Sequence, residues 1–505
     1  MKAFLLFKDQ DFDLQQKLPA NEHTLTQDLE LNTLFNAMAL GDKFLLEVAR
    51  IAVLSSLNDL DAILYRQDIL KDCLKNPDIV RELYAIPVEA METKRKNYWS
   101  WGVSSYPSSI LHSSVEILQM FVDRLRKIRI IADEYAGKFE SEGFTALFAM
   151  LKKELSDEYL TSIESHLKEL KFRRGVLISA ELGKGNEGID YVLRKTQNKK
   201  QSLMARIFAP KSPIYTFRID PRDEGGGRAL QELENRGINL VANAVAQSAD
   251  HINSFFNMLR IELAFYIGCL NLYEQLAQMG EPVSFPVPGA ASERRHSCEE
   301  LYDICLALTM RRKIVGNAAN ADKKDLMIIT GANQGGKSTF LRSIGLAQLM
   351  MQCGMFVPAR SFCANICNGL FTHFKREEDV TMKSGKLDEE LARMSQIADH
   401  LMPNSMVLFN ESFAATNERE GSEIARQITS ALLEKGIKLF FVTHQYEFAH
   451  RFYDQMLKNI IFLRAERQAD GTRTFKLIEG EPLQTSYGED LYNRIFGAEK
   501  TLVQE

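Results

Sequence analysis

A short glycine-rich segment carries the most specific pattern in the sequence. It matches Gly-x-x-x-x-Gly-Lys-Ser/Thr in full, over Gly331, Ala332, Asn333, Gln334, Gly335, Gly336, Lys337, Ser338 and Thr339. Glycines let the backbone turn tightly enough to aim several N–H groups at one phosphate, and a following helix presents its positive end to the same anion. We expect Lys337 to reach the β- and γ-phosphates of a nucleoside triphosphate and the Ser338 hydroxyl to bind Mg²⁺.

The surroundings of this segment support a phosphate-binding loop. Residues 326–330 are an apolar, β-branched run typical of a buried strand, and they end directly before the loop. After the loop, apolar residues recur at helical spacing, at Phe340, Leu341, Ile344 and Ala347. An accidental glycine-rich turn is the alternative, and the order of strand, loop and helix argues against it.

A second apolar run, residues 406–409, ends where an ATP-hydrolysing site needs carboxylates. Asn410 and Glu411 follow it. A carboxylate at the end of such a strand holds Mg²⁺, and a following glutamate can polarise the attacking water. Glu411 is therefore the candidate catalytic residue, and Asn410 stands at the position of the metal ligand. A neutral amide attracts Mg²⁺ less strongly than a carboxylate does, so slow hydrolysis is an open alternative.

A third apolar run, residues 439–442, ends in Thr443 and His444. An imidazole at this position can contact the γ-phosphate or the attacking water, so His444 is the second candidate catalytic residue. A histidine at the end of a strand is more often a packing residue, and this alternative stays open. Residues 315–318, ahead of the loop, are a positional guess for contacts with the adenine base.

These residues need a sheet to position them. Beyond residue 280, short apolar runs at 326–330, 406–409, 437–442 and 459–463 alternate with helical stretches. The alternation predicts an α/β domain with a mostly parallel sheet flanked by helices. Three prolines and two glycines in residues 280–291 mark a boundary. We therefore predict a P-loop ATPase domain over residues 281–505, preceded by a mainly α-helical domain over residues 1–280.

The helical half contains a long apolar pattern and a basic segment. Residues 244–279 fit one long helix, and two ordinary helices with a break fit equally well. Residues 192–211 carry six basic side chains and no acidic one, within a clamp-like insertion near residues 192–230, and residues 223–227 (Asp-Glu-Gly-Gly-Gly) are typical of a turn or flexible loop. Basic side chains neutralise DNA phosphates, although plain solvated surface is the alternative. The candidates are Arg194, Lys195, Lys199, Lys200 and Arg206.

Composition narrows the classes of function. The chain has 505 residues, 45% hydrophobic and 26% charged, as is ordinary for a globular chain of several domains. A net charge of −5 excludes a broad basic coat, so any contact with nucleic acid must be local. The seven cysteines are scattered, which favours reduced thiols over a zinc site. The N-terminus lacks a secretion signal, and Glu262 and Asn271 interrupt the most apolar helix, so we expect a cytoplasmic protein without a membrane span.

Several segments, in this order, resemble the MutS family of mismatch-repair proteins. The closest likeness is in residues 330–360, and residues 441–447 resemble the Thr-His-x-x-Glu switch segment of that family. Thr416 and Gly421 resemble loop positions of the family. Fainter or shorter likenesses are found at residues 65–67, 183–194 and 486–488, the last of which reads Ser-Tyr-Gly.

The resemblance implies a homodimer on DNA with composite ATP and Mg²⁺ sites, each completed by a loop of the partner subunit. Residues 382–390 stand where the family has this signature loop, and Ser384 and Gly385 match its start. The usual hydroxyl and aromatic residues that follow are replaced by Leu387, Asp388 and Glu389. Acidic side chains would repel a γ-phosphate, so we expect this loop to be repositioned or to contact something else.

Departures from the family pattern limit the functional interpretation. The family's mismatch-reading Phe-x-Glu motif is missing from the N-terminal region, so direct mismatch recognition is not expected. The leading hypothesis is a MutS-like dimeric ATPase that acts as a DNA clamp or recognises a DNA structure. One alternative is a nucleotide-gated protein-interaction module with weak or no hydrolysis. Another is a different P-loop class, which no Asn-Lys-x-Asp guanine motif supports.

Overall fold

The computed structural model of the chain describes residues 1–101, 106–173, 175–195, 216–332, 334–376, 385–468 and 473–483. The chain divides into two compact units. The first comprises residues 1–3, 81–139 and 144–260, and the second comprises residues 4–80, 140–143 and 261–505. The predicted boundary near residue 280 was placed where the type of secondary structure changes. The two compact units are divided at other residues, so this boundary stays a prediction.

The described residues form fourteen α-helices and twelve strands, numbered in chain order. The helices are α1 (Glu22–Asp28), α2 (Leu31–Ala39), α3 (Lys43–Leu54), α4 (Leu60–Lys75), α5 (Pro77–Trp101), α6 (Pro107–Tyr135), α7 (Glu142–Glu154), α8 (Asp157–Glu169), α9 (Glu224–Gln278), α10 (Ile304–Met310), α11 (Lys337–Gln352), α12 (Lys386–His400), α13 (Glu418–Glu434) and α14 (Tyr446–Asp454). The strands are β1 (Leu177–Leu182), β2 (Gly188–Arg194), β3 (Val287–Gly289), β4 (His296–Leu301), β5 (Asn317–Asn320), β6 (Leu326–Thr330), β7 (Ser361–Asn365), β8 (Leu370–Phe374), β9 (Met406–Asn410), β10 (Lys438–Val442), β11 (Ile460–Arg467) and β12 (Arg473–Glu479).

Local signals start the helices of the first unit. Pro107 stands in the first turn of α6, where its missing N–H costs nothing and its fixed φ suits a helix. The Ser156 hydroxyl accepts a hydrogen bond from the Tyr159 amide and so caps α8. The first unit has an apolar core between its helices, in which the rings of Phe121 and Phe256 lie 5.2 Å apart.

A single helix of 55 residues, α9, continues through residues 224–278. Its residues up to 260 belong to the first unit and the rest to the second. The prediction of one long helix over residues 244–279 is therefore confirmed. The prediction of a turn or flexible loop at residues 223–227 is wrong for residues 224–227, which are helical. The Asp223 carboxylate accepts a hydrogen bond from the Gly226 amide at 2.9 Å, and this cap starts the helix in spite of its glycines.

The polar residues that interrupt the apolar face of α9 are buried in the second unit. Glu262 accepts a hydrogen bond from the Leu5 amide at 2.5 Å, and the Asn271 amide donates one to the Met38 carbonyl at 2.9 Å. Burial raises the pKa of Glu262 to about 7. By length and composition α9 could cross a membrane, but 83% of its most apolar window is buried in the structure, as in the core helix of a globular protein.

A six-stranded sheet forms the centre of the second unit, with the strand order β12-β11-β6-β10-β9-β8. All neighbours are parallel except β11 and β12. β6, β8 and β10 are buried at every residue, and for β6 and β10 this burial on both faces explains why their sequences are almost continuous apolar runs and not alternating patterns. The predicted mostly parallel sheet flanked by helices is confirmed. A smaller sheet has the order β3-β7-β4-β5.

A buried apolar core in the second unit joins one face of the large sheet to three helices. Met394 of α12, Ala425 of α13 and Phe448 of α14 pack in one buried cluster with side chains of β6, β9 and β10. Within it, the rings of Phe409 and Phe441 stack at a centroid distance of 4.8 Å. This packing fixes the strands whose carboxyl ends carry the candidate site.

Candidate nucleotide-binding site

The loop between β6 and α11 holds the predicted phosphate-binding residues. Gly331 and Gly336 have φ values of 106° and 88°, which residues with a side chain rarely adopt. A Cβ on Gly331 would lie 2.8 Å from the Ala465 amide nitrogen, and one on Gly335 would lie 2.6 Å from the Ala465 Cβ. Glycine is therefore required by the close passage of β11 as well as by the turn itself. Asn333 lies outside the described residues.

Lys337, the first residue of α11, is buried inside this loop. Its ammonium group donates hydrogen bonds to the carbonyl oxygens of Gly331 at 2.9 Å and Ala332 at 3.0 Å. Burial lowers the pKa of Lys337, against an opposing effect of the nearby Glu411 carboxylate. The loop thus holds a cation at the N-terminal end of a helix, where the helix dipole also favours an anion.

Ser338 and Asn410 meet between α11 and β9. The Ser338 hydroxyl donates a hydrogen bond to the Asn410 Oδ1 at 2.8 Å. Hydroxyl and amide oxygens are both acceptable ligands for Mg²⁺, although a carboxylate would attract the ion more strongly. The two predicted metal ligands are therefore neighbours, and their binding of Mg²⁺ stays a prediction.

Glu411 and His444 form a hydrogen-bonded pair between Glu411 Oε2 and His444 Nδ1. This contact raises the pKa of His444 against the opposing effect of partial burial. The Glu411 backbone is left-handed, with a φ of 54°, and its amide donates to the Val442 carbonyl at 2.9 Å. Both residues were predicted from the sequence as catalytic candidates, but their direct contact was not. The Glu411 carboxylate is thus a partner of His444 in addition to the predicted phosphate or water.

Strand register explains why these segments meet. β10 pairs in parallel with β6 and with β9, so that Val442 lies opposite Ile329 on one side and Asn410 on the other. The carboxyl ends of parallel strands lie along one edge of a sheet, where α/β proteins bind ligands. The loop after β6, Glu411 after β9 and His444 after β10 therefore emerge at the same edge.

A cavity of about 560 Å³ opens beside the loop. Gln334 and Thr339 of the loop line it together with Val315, Asn317 and Phe475. The Asn317 amide donates a hydrogen bond to the Phe475 carbonyl at 3.2 Å, so β12 and the start of β5 form one wall. The size suits a small molecule, and the positional guess of a base contact at residues 315–318 falls on this wall. The sequence offered no motif for Phe475, whose place depends on the β11–β12 hairpin.

The predicted signature loop is described only in part. Ser384 lies outside the described residues, and Gly385 is the exposed N-cap residue of α12. The expectation of a loop up to residue 390 is wrong for residues 386–390, which are helical. Asp388 and Glu389 stand in the first turn of α12, where acidic side chains are favourable because they face the positive end of the helix dipole.

Two of the predicted DNA contacts lie on described residues of the first unit. The Arg194 guanidinium donates a hydrogen bond to the Ser179 hydroxyl at 2.9 Å, and the Lys195 ammonium pairs with Glu169 at 3.0 Å. Both basic side chains are exposed. The other three candidates lie outside the described residues: Lys199, Lys200 and Arg206. Contact with DNA stays a prediction for all five.

Comparison with known protein families gives two matches along the chain. Residues 58–279 match the family described as "MutS2 N-terminal domain", and residues 327–502 match "MutS domain V". The second match contains the glycine-rich loop and the strand ends that carry Glu411 and His444.

Curated relatives of this chain carry the name of the same family. The protein named DNA mismatch repair protein MutS of Clostridium kluyveri is 24% identical over 416 residues, which cover 77% of this chain and 47% of that relative. For the protein of the same name from Leptospira interrogans the identity is 28%, over 49% of this chain and 29% of the relative. The protein of the same name from Thermotoga neapolitana is 31% identical, over 35% of this chain and 22% of the relative. The matches thus span less than half the length of these relatives.

The fold and the matches define a helical protein that carries an α/β domain with a glycine-rich loop at the edge of its parallel sheet. The chain belongs to the MutS family.

Proposed function

We propose that this chain is a dimeric, DNA-binding ATPase of the MutS kind. One observation carries the proposal: the loop cation Lys337, the oxygen pair of Ser338 and Asn410, and the pair of Glu411 and His444 lie at one sheet edge. These are the parts that phosphoryl transfer to water needs, namely a phosphate cradle, metal ligands and a group to orient the nucleophile.

The described residues fit a magnesium nucleoside triphosphate. Gly331 and Gly336, with φ values of 106° and 88°, give the loop the tight turn that lets backbone N–H groups face a phosphate. Lys337 provides the cation, and Ser338 and Asn410 provide oxygen ligands. Bound Mg²⁺ supplies charge neutralisation at the phosphate oxygens. The cavity lined by Val315 and Phe475 accommodates the base.

Within this arrangement Glu411 orients the attacking water and accepts its proton. His444 holds the Glu411 carboxylate through their hydrogen bond and limits its rotation. Because the pKa of His444 is raised by that contact, the imidazole carries a positive charge over a wider pH range than a free histidine does. That charge adds to the electrostatic stabilisation of a γ-phosphate.

The dimer and the DNA partner rest on family likeness. The Clostridium kluyveri relative, named for DNA mismatch repair, aligns with 77% of this chain, including parts of both halves. We propose that a second copy completes each site with its residues 382–390, in which Ser384 and Gly385 match the start of the family's signature loop. The basic segment at residues 192–211 is the proposed contact with DNA phosphates, and a cytoplasmic location follows from this role.

A second candidate function is a nucleotide-gated interaction module with little hydrolysis. Asn410 favours it, because the Ser338 hydroxyl meets a neutral amide and not a carboxylate. Weak Mg²⁺ binding would leave nucleotide binding intact and slow the chemical step. The two candidate functions differ in turnover and in the DNA partner.

The decisive experiment compares the wild-type protein with Glu411→Gln. We expect Mg²⁺-dependent phosphate release to fall about 100-fold in the variant, the usual contribution of a general base, while binding of a fluorescent ATP analogue is kept. Glu434→Gln changes an exposed glutamate and serves as the control. An equal rate in Glu411→Gln and wild type would rule out the catalytic role, and no binding of any nucleotide would remove the whole proposal.

The DNA partner is tested by gel shift with junction, mismatched and plain duplex DNA at low salt with ATP. We expect binding that weakens steeply as salt is added, because phosphate contacts release counterions. Hydrolysis without binding to any of these DNAs would contradict the DNA role. Nucleotide binding with neither hydrolysis nor DNA binding would favour the interaction module.

A further inference from the structure

The turn that carries Glu411 has an uncommon backbone. Glu411 and Phe413, on either side of Ser412, both have left-handed φ values, of 54° and 60°. Residues with side chains adopt this conformation at a cost of about 1–3 kcal/mol each, and only where their surroundings hold them. The Ser412 side chain between them is fully buried. Contacts around Ser412 and Phe413 must therefore hold the turn.

His373, on the neighbouring strand β8, makes the contacts with Ser412. The His373 Nδ1 lies 2.7 Å from the Ser412 Oγ, and the same Oγ lies 2.6 Å from the His373 carbonyl oxygen. On the other edge of the ring, Nε2 lies 2.9 Å from the Glu390 carbonyl oxygen in α12. The ring also stacks on Phe413, with 5.0 Å between centroids and 19° between planes.

Phe413 is held from two further directions. Its backbone amide lies close enough to the Glu390 carboxyl group to lower the pKa of that group, against the larger raising effect of burial. Its carbonyl accepts a hydrogen bond from the Gln445 side chain at 3.0 Å, and Gln445 directly follows His444. The turn is thus connected to α12 through Glu390 and to the end of β10 through Gln445.

The hydrogen bonds define the tautomer of His373. Burial lowers the pKa of His373 to about 4, so the ring carries one proton at neutral pH. A carbonyl oxygen can only accept, so Nε2 donates to Glu390 and Nδ1 is left as an acceptor. The single proton of the Ser412 hydroxyl is then shared between two acceptors, Nδ1 and the His373 carbonyl oxygen, which lie 2.7 Å and 2.6 Å from Oγ. A neutral imidazole is therefore able to hold Ser412 on one edge and α12 on the other.

We propose that His373 is a positioning residue for hydrolysis: through Ser412 it holds the turn that aims Glu411, and through Glu390 it ties this turn to α12. The inference rests on the proposed hydrolysis at Glu411. Apolar packing does not require a histidine at this position, because a phenylalanine would fill the space between Phe409 and Phe413 without burying polar atoms.

Three substitutions separate the two edges of the ring. His373→Phe keeps the stacking and removes both hydrogen bonds. His373→Asn places an amide near the position of Nδ1 and keeps a partner for Ser412. His373→Gln reaches towards the position of Nε2 and keeps a partner for the Glu390 carbonyl. A matched control is His296→Phe, since His296 is also fully buried and packs between the rings of Phe362 and Phe440.

The first readout separates turnover from binding. We expect the kcat for ATP hydrolysis to fall about tenfold or more in His373→Phe and His373→Gln, because small misplacements of a reacting group cost much of the rate. His373→Asn and His296→Phe should stay near wild type, and the dissociation constant of a fluorescent ATP analogue should hardly change in any variant. An unchanged kcat in His373→Phe overturns the proposal. A kcat in His373→Asn as low as that in His373→Phe also overturns it.

The second readout does not need hydrolysis. Amide hydrogen exchange in a peptide covering residues 406–417 should be faster in His373→Phe than in wild type, with His373→Asn close to wild type. Unchanged exchange overturns the positioning role, whether or not the chain turns over ATP. If the wild type shows no hydrolysis but exchange is still faster in His373→Phe, the proposed ATPase function is overturned. His373 then holds the turn, but not for the positioning of a catalytic group.

A serine variant covers the case in which His373→Phe does not fold. Ser412→Ala removes the contact with Nδ1 from the other side, together with the hydrogen bond to the His373 backbone carbonyl, and is expected to lower kcat and speed exchange at least as much as His373→Phe does. Ser422→Ala is its control, since Ser422 is also buried and its hydroxyl has no hydrogen-bond partner among the described residues. Equal behaviour of the two serine variants would contradict the proposal.

Discussion

The two sides of the site at the sheet edge are built by different means. On the β6 side, the two largest positive φ values, 106° and 88°, belong to Gly331 and Gly336, which adopt them without a side-chain penalty, and Gln334 between them is left-handed with a φ of 59°. On the β9 side, Glu411 and Phe413 adopt positive φ values with full side chains, and contacts centred on His373 hold them. The turn after β6 thus depends mainly on glycine, and the turn after β9 is held by tertiary contacts.

This difference predicts how each side responds to substitution. A change on the glycine side alters the backbone itself, so no neighbouring side chain can compensate for it. A change on the β9 side removes a contact, and another side chain that restores the contact can recover the function. Direct tests of each side follow from this distinction.

The largest effect is expected for Gly331→Ala on the glycine side. The new Cβ would lie 2.8 Å from the Ala465 amide nitrogen at a φ of 106°, so the loop would have to move. We expect ATP affinity to fall about 100-fold or more, because several hydrogen bonds to phosphate are lost together. Titration with a fluorescent analogue measures the affinity. Gly137→Ala, whose new Cβ would meet no atom within 4 Å, is the control. Wild-type affinity in Gly331→Ala would refute the requirement for glycine.

A moderate effect is expected for Asn410→Asp on the β9 side. Aspartate keeps an oxygen for the Ser338 hydroxyl, now 2.8 Å from Oδ1, and adds the charge that a metal site favours. We expect the Mg²⁺ concentration for half-maximal hydrolysis to fall about tenfold and turnover to rise, as for a charged ligand in place of a neutral one. Asn58→Asp adds the same charge at an exposed position and is the control. An unchanged Mg²⁺ dependence would mean that other groups bind the metal.

The smallest effect is a pH dependence of stability from the pair of Glu411 and His444. The pKa of His444 is raised by Glu411, so the stabilisation is complete below the ordinary pKa near 6.5 and is lost as the pH rises through the folded-state value. His444 is half exposed, and solvent screening keeps the effect below about 1 kcal/mol. Urea unfolding of wild type and His444→Gln should therefore differ more at about pH 6 than at about pH 8. A difference that increases with pH would contradict this assignment.

Much of the α/β part could be predicted because β6 and β10 are buried at every residue and β9 at every residue but its last. The predicted run 326–330 coincides with β6, and the ends of β9 and β10 differ from the predicted runs by one residue. β11 extends four residues beyond its predicted end, because antiparallel pairing with β12 continues it. β8 contains Thr372 and His373 and was not predicted, since its polar residues interrupt the apolar run although they are buried.

The candidate site could be predicted only where residue types fix the chemistry locally. Lys337, Ser338 and Glu411 were named from spacing, and the structure brings them to one sheet edge. The contribution of His373 depends on the pairing of β8 with β9, and that of Phe475 depends on a hairpin. Contacts between separate strands produce no characteristic spacing of residues, so neither contribution could be recognised from one sequence. The three glycines after Asp223 led to the wrong prediction of a loop. The Asp223 carboxylate caps the first turn there, and residues 224–227 are helical.

The hydrogen bonds that Lys337 donates to the Gly331 and Ala332 carbonyls bear on how fast a nucleotide can bind. A phosphate that reaches the loop takes the place of these two carbonyl acceptors, and the described residues of the loop already form the turn around Lys337. Little conformational entropy is then lost on association. Capture would be governed by diffusion and charge, and discrimination among nucleotides would depend on how long each one remains bound.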